Sequence, residues 1–241
     1  MRKFAFTLTE ILISLSIIGV IAVLTVPNIS NNIYGKADIA TLQSTLKNLN
    51  EAIKTAMVNQ HVLDVRDLDL FDEDIAQEEG TEPQYKFYNK YLKVTKFCDD
   101  FEDCFAKEYS TISGESTLGL GDLITDLDTG DIKIKTVILP SGASLLFVED
   151  SETTIVKSVD MDSNLLSMFI IDLNASKKPN MVGKDLFAIG LDSKGNLGFL
   201  SEITDDEYTN CVNGTDYGYS CLYLIEDAGW KADIVLNNYS E

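Results

Sequence analysis

From Phe6 to Val26 the chain is apolar on every side, and Glu10 is the only formal charge in that run. A helix of about 20 apolar residues crosses a bilayer. Arg2 and Lys3 stand in front of it and are expected to hold the N-terminus on the cytoplasmic side. After Pro27 the pattern changes. "NISNNIYGKAD" is polar, and then Ile39, Leu42, Leu46, Leu49, Ile53 and Ala56 recur at spacings of three and four, with Met57 beside the last. Such a stripe on an otherwise polar segment predicts an amphipathic helix. It is too short for a sustained coiled coil and predicts instead a helix laid against a globular head. Pro27 is expected to bend the helix rather than end it.

Beyond the helix the period shortens. "DIKIKTVIL" alternates and is rich in β-branched residues, "PSGA" is a turn and "SLLFVED" continues, so 131–150 predicts a hairpin. "NLLSMFIIDL" (164–173) is a continuous apolar run, as a strand buried on both faces would be. "DLFAIGL" and "NLGFL" flank "DSKG" and predict a second hairpin. Short turns between strands mean an antiparallel sheet, so the fold class is α+β. Between helix and sheet, residues 64–82 carry nine acids against one base, Arg66, and read as an exposed acidic loop or frayed helix. "QYKFYNKYLKVTKFC" (84–98) reads as a helix of opposite charge.

Composition changes this picture in two ways. The 241 residues include 39 acids and 19 bases, a formal net charge of −20. A surface of that sign repels the phosphate backbone, so direct nucleic-acid binding is not expected. The four cysteines fall in two tight pairs, Cys98 with Cys104 and Cys211 with Cys221. Neither spacing is that of a zinc ligand pair. Two local disulfides are the simplest of the three connectivities that four cysteines allow, and persistent disulfides belong to an oxidising space outside the cytoplasm.

The carboxylate of Glu10 needs its own explanation, because a charge at the bilayer centre costs about 2.5–3.5 kcal/mol on insertion scales. A secretory signal peptide or a plain signal anchor leaves it unexplained, and the long apolar run without a following A-x-A site speaks against the signal peptide. "AFTLTEILISLSIIGVIAVLTVP" resembles the N-terminus of type IV pilins and type II secretion pseudopilins: a short basic leader ending in a small residue, then Phe-Thr-Leu-x-Glu and an apolar helix with a later proline. The family usually ends its leader in glycine; Ala5 stands there in this chain. The resemblance implies cleavage between Ala5 and Phe6 by a prepilin peptidase and N-methylation of Phe6. Glu10 then falls at the fifth mature position, where the family is held to pair it with the terminal amine of a neighbouring subunit. Such a cation offsets the desolvation of the carboxylate and sets the stagger between subunits. Ser14, Ser16, Gly19 and Ala22 are small positions where helices could approach closely.

Four segments follow from this: a leader over 1–5, a transmembrane and filament-core helix over 6–27, its amphipathic continuation over 28–60, and a pilin-like extracytoplasmic head over 61–241. The partners implied are other pilin or pseudopilin subunits, prepilin peptidase, an inner-membrane assembly platform, and lipid around the N-terminal helix. The location implied is the bacterial inner membrane, in a single pass, and a filament after assembly.

In the head, Asp172, Asn174, Asn180 and Asp185 gather around a Lys-Lys-Pro turn. Oxygen donors of this kind suit calcium, but the spacing is not that of an EF-hand loop. Asp and Asn side chains also cap backbone amides in turns, and that is the preferred reading. The stretch resembles a pattern of one bacterial subgroup of pilin-like proteins, Asp-x-Asn, Pro-Asn and Gly-x-Asp-x-Phe, with Ala175 where that subgroup commonly has glycine. The same subgroup often ends in Gly-Trp-Lys, which Gly229, Trp230 and Lys231 repeat; Trp230 is expected to dock the C-terminal segment on the core.

Catalysis has little to stand on. His61 is the only histidine, at the end of the amphipathic segment, and no metalloprotease, nucleophile-elbow or phosphate-loop motif occurs. The expectation is a non-enzymatic, structural, minor filament subunit that requires no cofactor, with calcium as the one candidate. The alternative is a membrane-anchored extracytoplasmic binding domain that does not polymerise.

Overall fold

The computed structural model describes residues 8–71, 83–98, 100–114, 117–119, 136–149, 165–198, 207–213 and 218–231; within α1 the side chains of 19–34 are also outside the description. The fold is α+β: helices packed with an antiparallel sheet. Helix α1 runs Leu8–Gln60, and Pro27 lies inside it with its side chain outside the described residues. Among the described residues no helix is long and apolar enough to cross a membrane. The described side chains of the apolar run stop at Ile18, short of the expected boundary at Val26.

The second half of α1 follows its stripe. Leu42, Leu49, Ile53 and Ala56 are fully or almost fully buried, and Thr45 is buried among them. They meet one face of a six-stranded sheet with the order β1-β4-β5-β6-β7-β8. Its strands are β1 Lys96–Cys98, β4 Thr136–Ile138, β5 Ser144–Glu149, β6 Leu165–Asp172, β7 Leu186–Asp192 and β8 Leu197–Gly198. All the pairings are antiparallel.

Period two sorts the sheet's side chains between two cores. Phe147, Phe169 and Ile189 lie side by side in register and face α1. Leu146, Ile170 and Ala188, one residue along, line up on the other face. There they meet Phe105, Tyr109, Val182 and Tyr219. This is why the expected strand over 164–173 reads as unbroken apolar sequence: both of its faces are buried. Phe147 also packs edge-on against Phe71, which follows α1 by a short connection.

That connection departs from the expected acidic loop. Two 3-10 turns, Val65–Asp67 and Asp69–Phe71, bury Val65, Leu68 and Leu70. Small apolar anchors two or three residues apart hold the acids outward; 72–82 lie outside the described residues. The helix expected over 84–98 is α2, Pro83–Tyr91, and its last residues instead form β1 against β4. The hairpin of β4 and β5 turns over Leu139–Gly142, and that of β7 and β8 over Asp192–Gly195; 131–135 and 199–200 lie outside the described residues.

A second small sheet pairs β2 Glu108–Ser110 with β3 Thr117–Gly119. Two short helices, α3 Glu207–Asn213 and α4 Tyr219–Asp227, complete the described chain. Beyond α4, Trp230 is half-buried against the α1-side core, as expected of a docking residue.

Candidate functional site: a paired carboxyl cluster and an apolar helix end

The head's most unusual chemistry is built where β6 ends. Asp172 is its last residue, and the chain then loops through a cis Lys178–Pro179 peptide before re-entering the sheet as β7. Asp172 Oδ1 accepts the backbone N–H of Asn174 at 2.9 Å, an Asx turn that starts the loop. Asp185 closes it: its Oδ1 accepts the N–H of Met181 at 2.8 Å. The Asn174 side-chain amide donates across the loop, to Asp185 Oδ2 at 3.4 Å and to the Pro179 carbonyl at 3.5 Å. Ala175 sits at φ 58°, in the left-handed region, where glycine is at ease and alanine is not.

The loop is clasped from two sides. Toward β2, Ser110 donates its N–H to the Asn180 carbonyl, and Val182 donates to the Ser110 carbonyl, each at 2.9 Å. Tyr109, in the middle of β2, donates its hydroxyl to Asp172 Oδ2 and accepts the Ala106 N–H at 3.0 Å. On the other side lies the Cys211–Cys221 pair. Gly183, at φ 79°, approaches so closely that a Cβ there would collide with Cys221 Sγ. Only glycine satisfies both that dihedral and that contact.

Of the four residues singled out in the sequence, Asp172, Asn174 and Asp185 are joined by hydrogen bonds within the turn, and Asn180 takes part through its backbone carbonyl, which accepts the Ser110 N–H. Each carboxylate oxygen already accepts a hydrogen bond, while Oδ1 of Asn174 and of Asn180 is buried without a hydrogen-bond partner among the described residues. Calcium takes six to eight oxygens. No group of three or more His, Cys, Asp or Glu placed to hold a metal occurs among the described residues. The two carboxylates are engaged as acceptors by the loop itself and by Tyr109.

Burial dominates the electrostatics. Asp172 is 0% exposed and Asp185 3%. Desolvation pushes the Asp172 carboxyl up to about 7, against the opposing hydrogen bonds from Tyr109, Asn174 and Ala175. Asp185 is pushed up to about 8, first by burial and then by the charge of Asp172, with the Met181 N–H opposing. The Tyr109 hydroxyl is pushed far up by burial and by the same aspartate, so it remains a donor. Tyr109 was not legible as a site residue. It lies 63 residues from Asp172 in a short polar segment, and only the fold brings them together.

The cysteines pair locally. Cys98, the last residue of β1, is bonded to Cys104, six positions on and just after the 3-10 turn Phe101–Asp103, and Cys211–Cys221 staples α3 to α4. Cysteine 221 also packs in the α1-side core. Among the described residues no cysteine is free.

The N-terminal end of α1 is a second site of a different kind. Leu8 is 81% exposed and Ile18 63%, and Ile11, Leu12, Ile13, Leu15 and Ile17 between them are also exposed. Consecutive positions point around the whole helix, so the apolar surface is a sleeve with no single face. Its serines are turned inward: Ser14 Oγ donates to the Glu10 carbonyl and Ser16 Oγ to the Leu12 carbonyl, both at 2.8 Å. That leaves the Glu10 side chain as the one formal charge among Leu8–Ile18. Ala5 and Phe6 lie outside the described residues, and Gly19 and Ala22 are described only as backbone of α1. His61 follows α1 at the surface with φ 57°.

No protein-family model, no curated protein and no solved structure matches this chain.

Proposed function

We propose that the chain is a structural subunit of a type IV pilus-like or type II secretion pseudopilus filament, in the minor rather than the bulk role. In this reading prepilin peptidase cleaves between Ala5 and Phe6, Phe6 is N-methylated, and α1 anchors the subunit in the bacterial inner membrane until it enters the filament. The observation that carries the reading is the contrast within α1. Its outer half is buried on a disulfide-bonded head, and its Leu8–Ile18 end presents an apolar sleeve interrupted by one carboxylate. An unpaired apolar surface of that extent needs lipid or other apolar helices around it.

Ser14 and Ser16 support the same environment, because a hydroxyl bonded to its own helix carries little cost in lipid. The carboxylate of Glu10 is the one formal charge in this stretch. A freed amino terminus on a neighbouring copy, carrying a positive charge, has the sign to balance it in lipid. The fold class adds compatible context: a helix laid on one face of an antiparallel sheet, whose other face is covered by β2, its neighbouring loops and α4. The acidic head is suited to contact basic or neutral partners and not nucleic acid.

Mass spectrometry of the N-terminal peptide from the protein in its native host tests the processing step. The expected species begins at N-methylated Phe6. An N-terminus at Met1 contradicts the filament reading and leaves the anchored, non-polymerising binding domain.

A further inference from the structure

Asp172 and Asp185 raise a question that filament assembly does not answer. Both carboxyls are buried, they are linked through one residue, Asn174, whose backbone N–H donates to Asp172 and whose side-chain amide donates to Asp185, and neither takes part in an ion pair among the described residues. Two buried like charges with no counter-ion are strongly unfavourable, and the usual escape is to keep a proton. Their surroundings offer little relief. From β2 the facing group is Tyr109, neutral and already donating. Lys184 of the loop is half-buried and acts on Asp38 of α1 instead. Lys177 and Lys178 of the loop are exposed.

We propose that the buried pair Asp172 and Asp185 carries at least one proton at neutral pH, and that its loss releases the 173–186 loop from β2, making this part of the head a pH-sensitive latch. The proton is what permits the pair to coexist. When it leaves, two negative charges face each other inside the clasp that holds Met181 and Val182 against Ser110. The cheapest relief is to open that clasp and hydrate the carboxylates. The exposed route runs through the 176–179 turn, whose residues are all at the surface. The same loop packs on the Cys211–Cys221 staple and carries Lys184 beside α1, so opening alters the head where it adjoins the helix.

The sign of the pH dependence follows from the upward shifts. A carboxyl raised in the folded state contributes stability that is fully present below its unfolded pKa, near 4, and is lost as pH rises through its folded pKa. The losses accumulate up to about 7 for Asp172 and about 8 for Asp185.

Hydrogen exchange on the full chain in detergent micelles tests the latch at the Ser110 and Val182 amides, corrected for intrinsic base catalysis, from pH 5.5 to 9. The expected result is a corrected rate that climbs by about tenfold per pH unit for each proton lost. Asp185→Asn is expected to flatten the climb, since an amide oxygen still accepts the Met181 N–H but carries no charge. A flat wild-type profile, or an equal climb in the variant, overturns the latch. Should Asp185→Asn fail to fold, carboxyl carbon-13 titration of the wild type decides. Both signals titrating below pH 5 overturn the proposal, and a midpoint near or above neutrality for either one supports it. The outcome is independent of whether the chain polymerises.

Discussion

The two ends of α1 are built from similar residues and have opposite surroundings. At Leu8–Ile18 leucine and isoleucine point all around the helix and stand exposed; at Ile39–Met57 the same residue types form one stripe and are buried. The difference lies in the polar residues between them. In the outer half, exposed Lys47, Asn48, Asn50 and Glu51 leave a single direction for burial, and the sheet supplies a matching face. In the first half no polar face limits the direction, so a one-sided head cannot cover it. The lesson is that hydrophobicity sets how much surface must be covered, and its angular distribution sets what kind of partner can cover it.

Truncations should separate the two halves most sharply. Ile53→Ala removes a fully buried side chain beside the aromatic face of the sheet, and an expected loss of about 2–5 kcal/mol in denaturant unfolding of the full chain follows. Leu12→Ala, at 56% exposure, is expected to shift the same unfolding by under about 0.5 kcal/mol. Equal losses would mean that the apolar sleeve packs on the head, and the comparison would fail.

Polar contacts give a smaller version of the same test. Lys54 Nζ donates to the Lys194 carbonyl at 2.8 Å and to Asn196 Oδ1 at 2.9 Å, tying α1 to the β7–β8 turn. Lys54→Met is expected to cost about 0.5–1.5 kcal/mol by thermal or chemical unfolding. Ser14→Ala removes a hydroxyl bonded only within its own helix, and alanine is the better helix former, so the expected change is under about 0.5 kcal/mol and stabilising. A loss of comparable size from Ser14→Ala would mean that the first half has contacts outside itself.

What could be read from sequence sorts along similar lines. The stripe of α1, the β4–β5 and β7–β8 hairpins and the run of β6 were legible because each repeats its own period over enough residues. Strand β1 was not, since Lys96–Cys98 is three residues long and becomes a strand only by pairing with Thr136–Ile138. Nor were β2 and β3, whose partner strands are equally short. Helix α4 carried a signal that went unused: Tyr219, Leu222 and Ile225 recur at a spacing of three and are all buried. In the carboxyl cluster the Asp and Asn types and their turn were legible, because turn capping is local chemistry. Tyr109 and the crowding of Gly183 against Cys221 were not, because both are made by tertiary contact.

The account rests on the carboxylate of Glu10 being balanced by a second copy of the chain. Replacing it decides the matter: Glu10→Leu, expressed in the native host, followed by shearing and quantification of polymer against membrane-held monomer. The account predicts that the variant is inserted and folded but stays in the membrane fraction, with polymer lost. Polymer at the wild-type level in Glu10→Leu would contradict it.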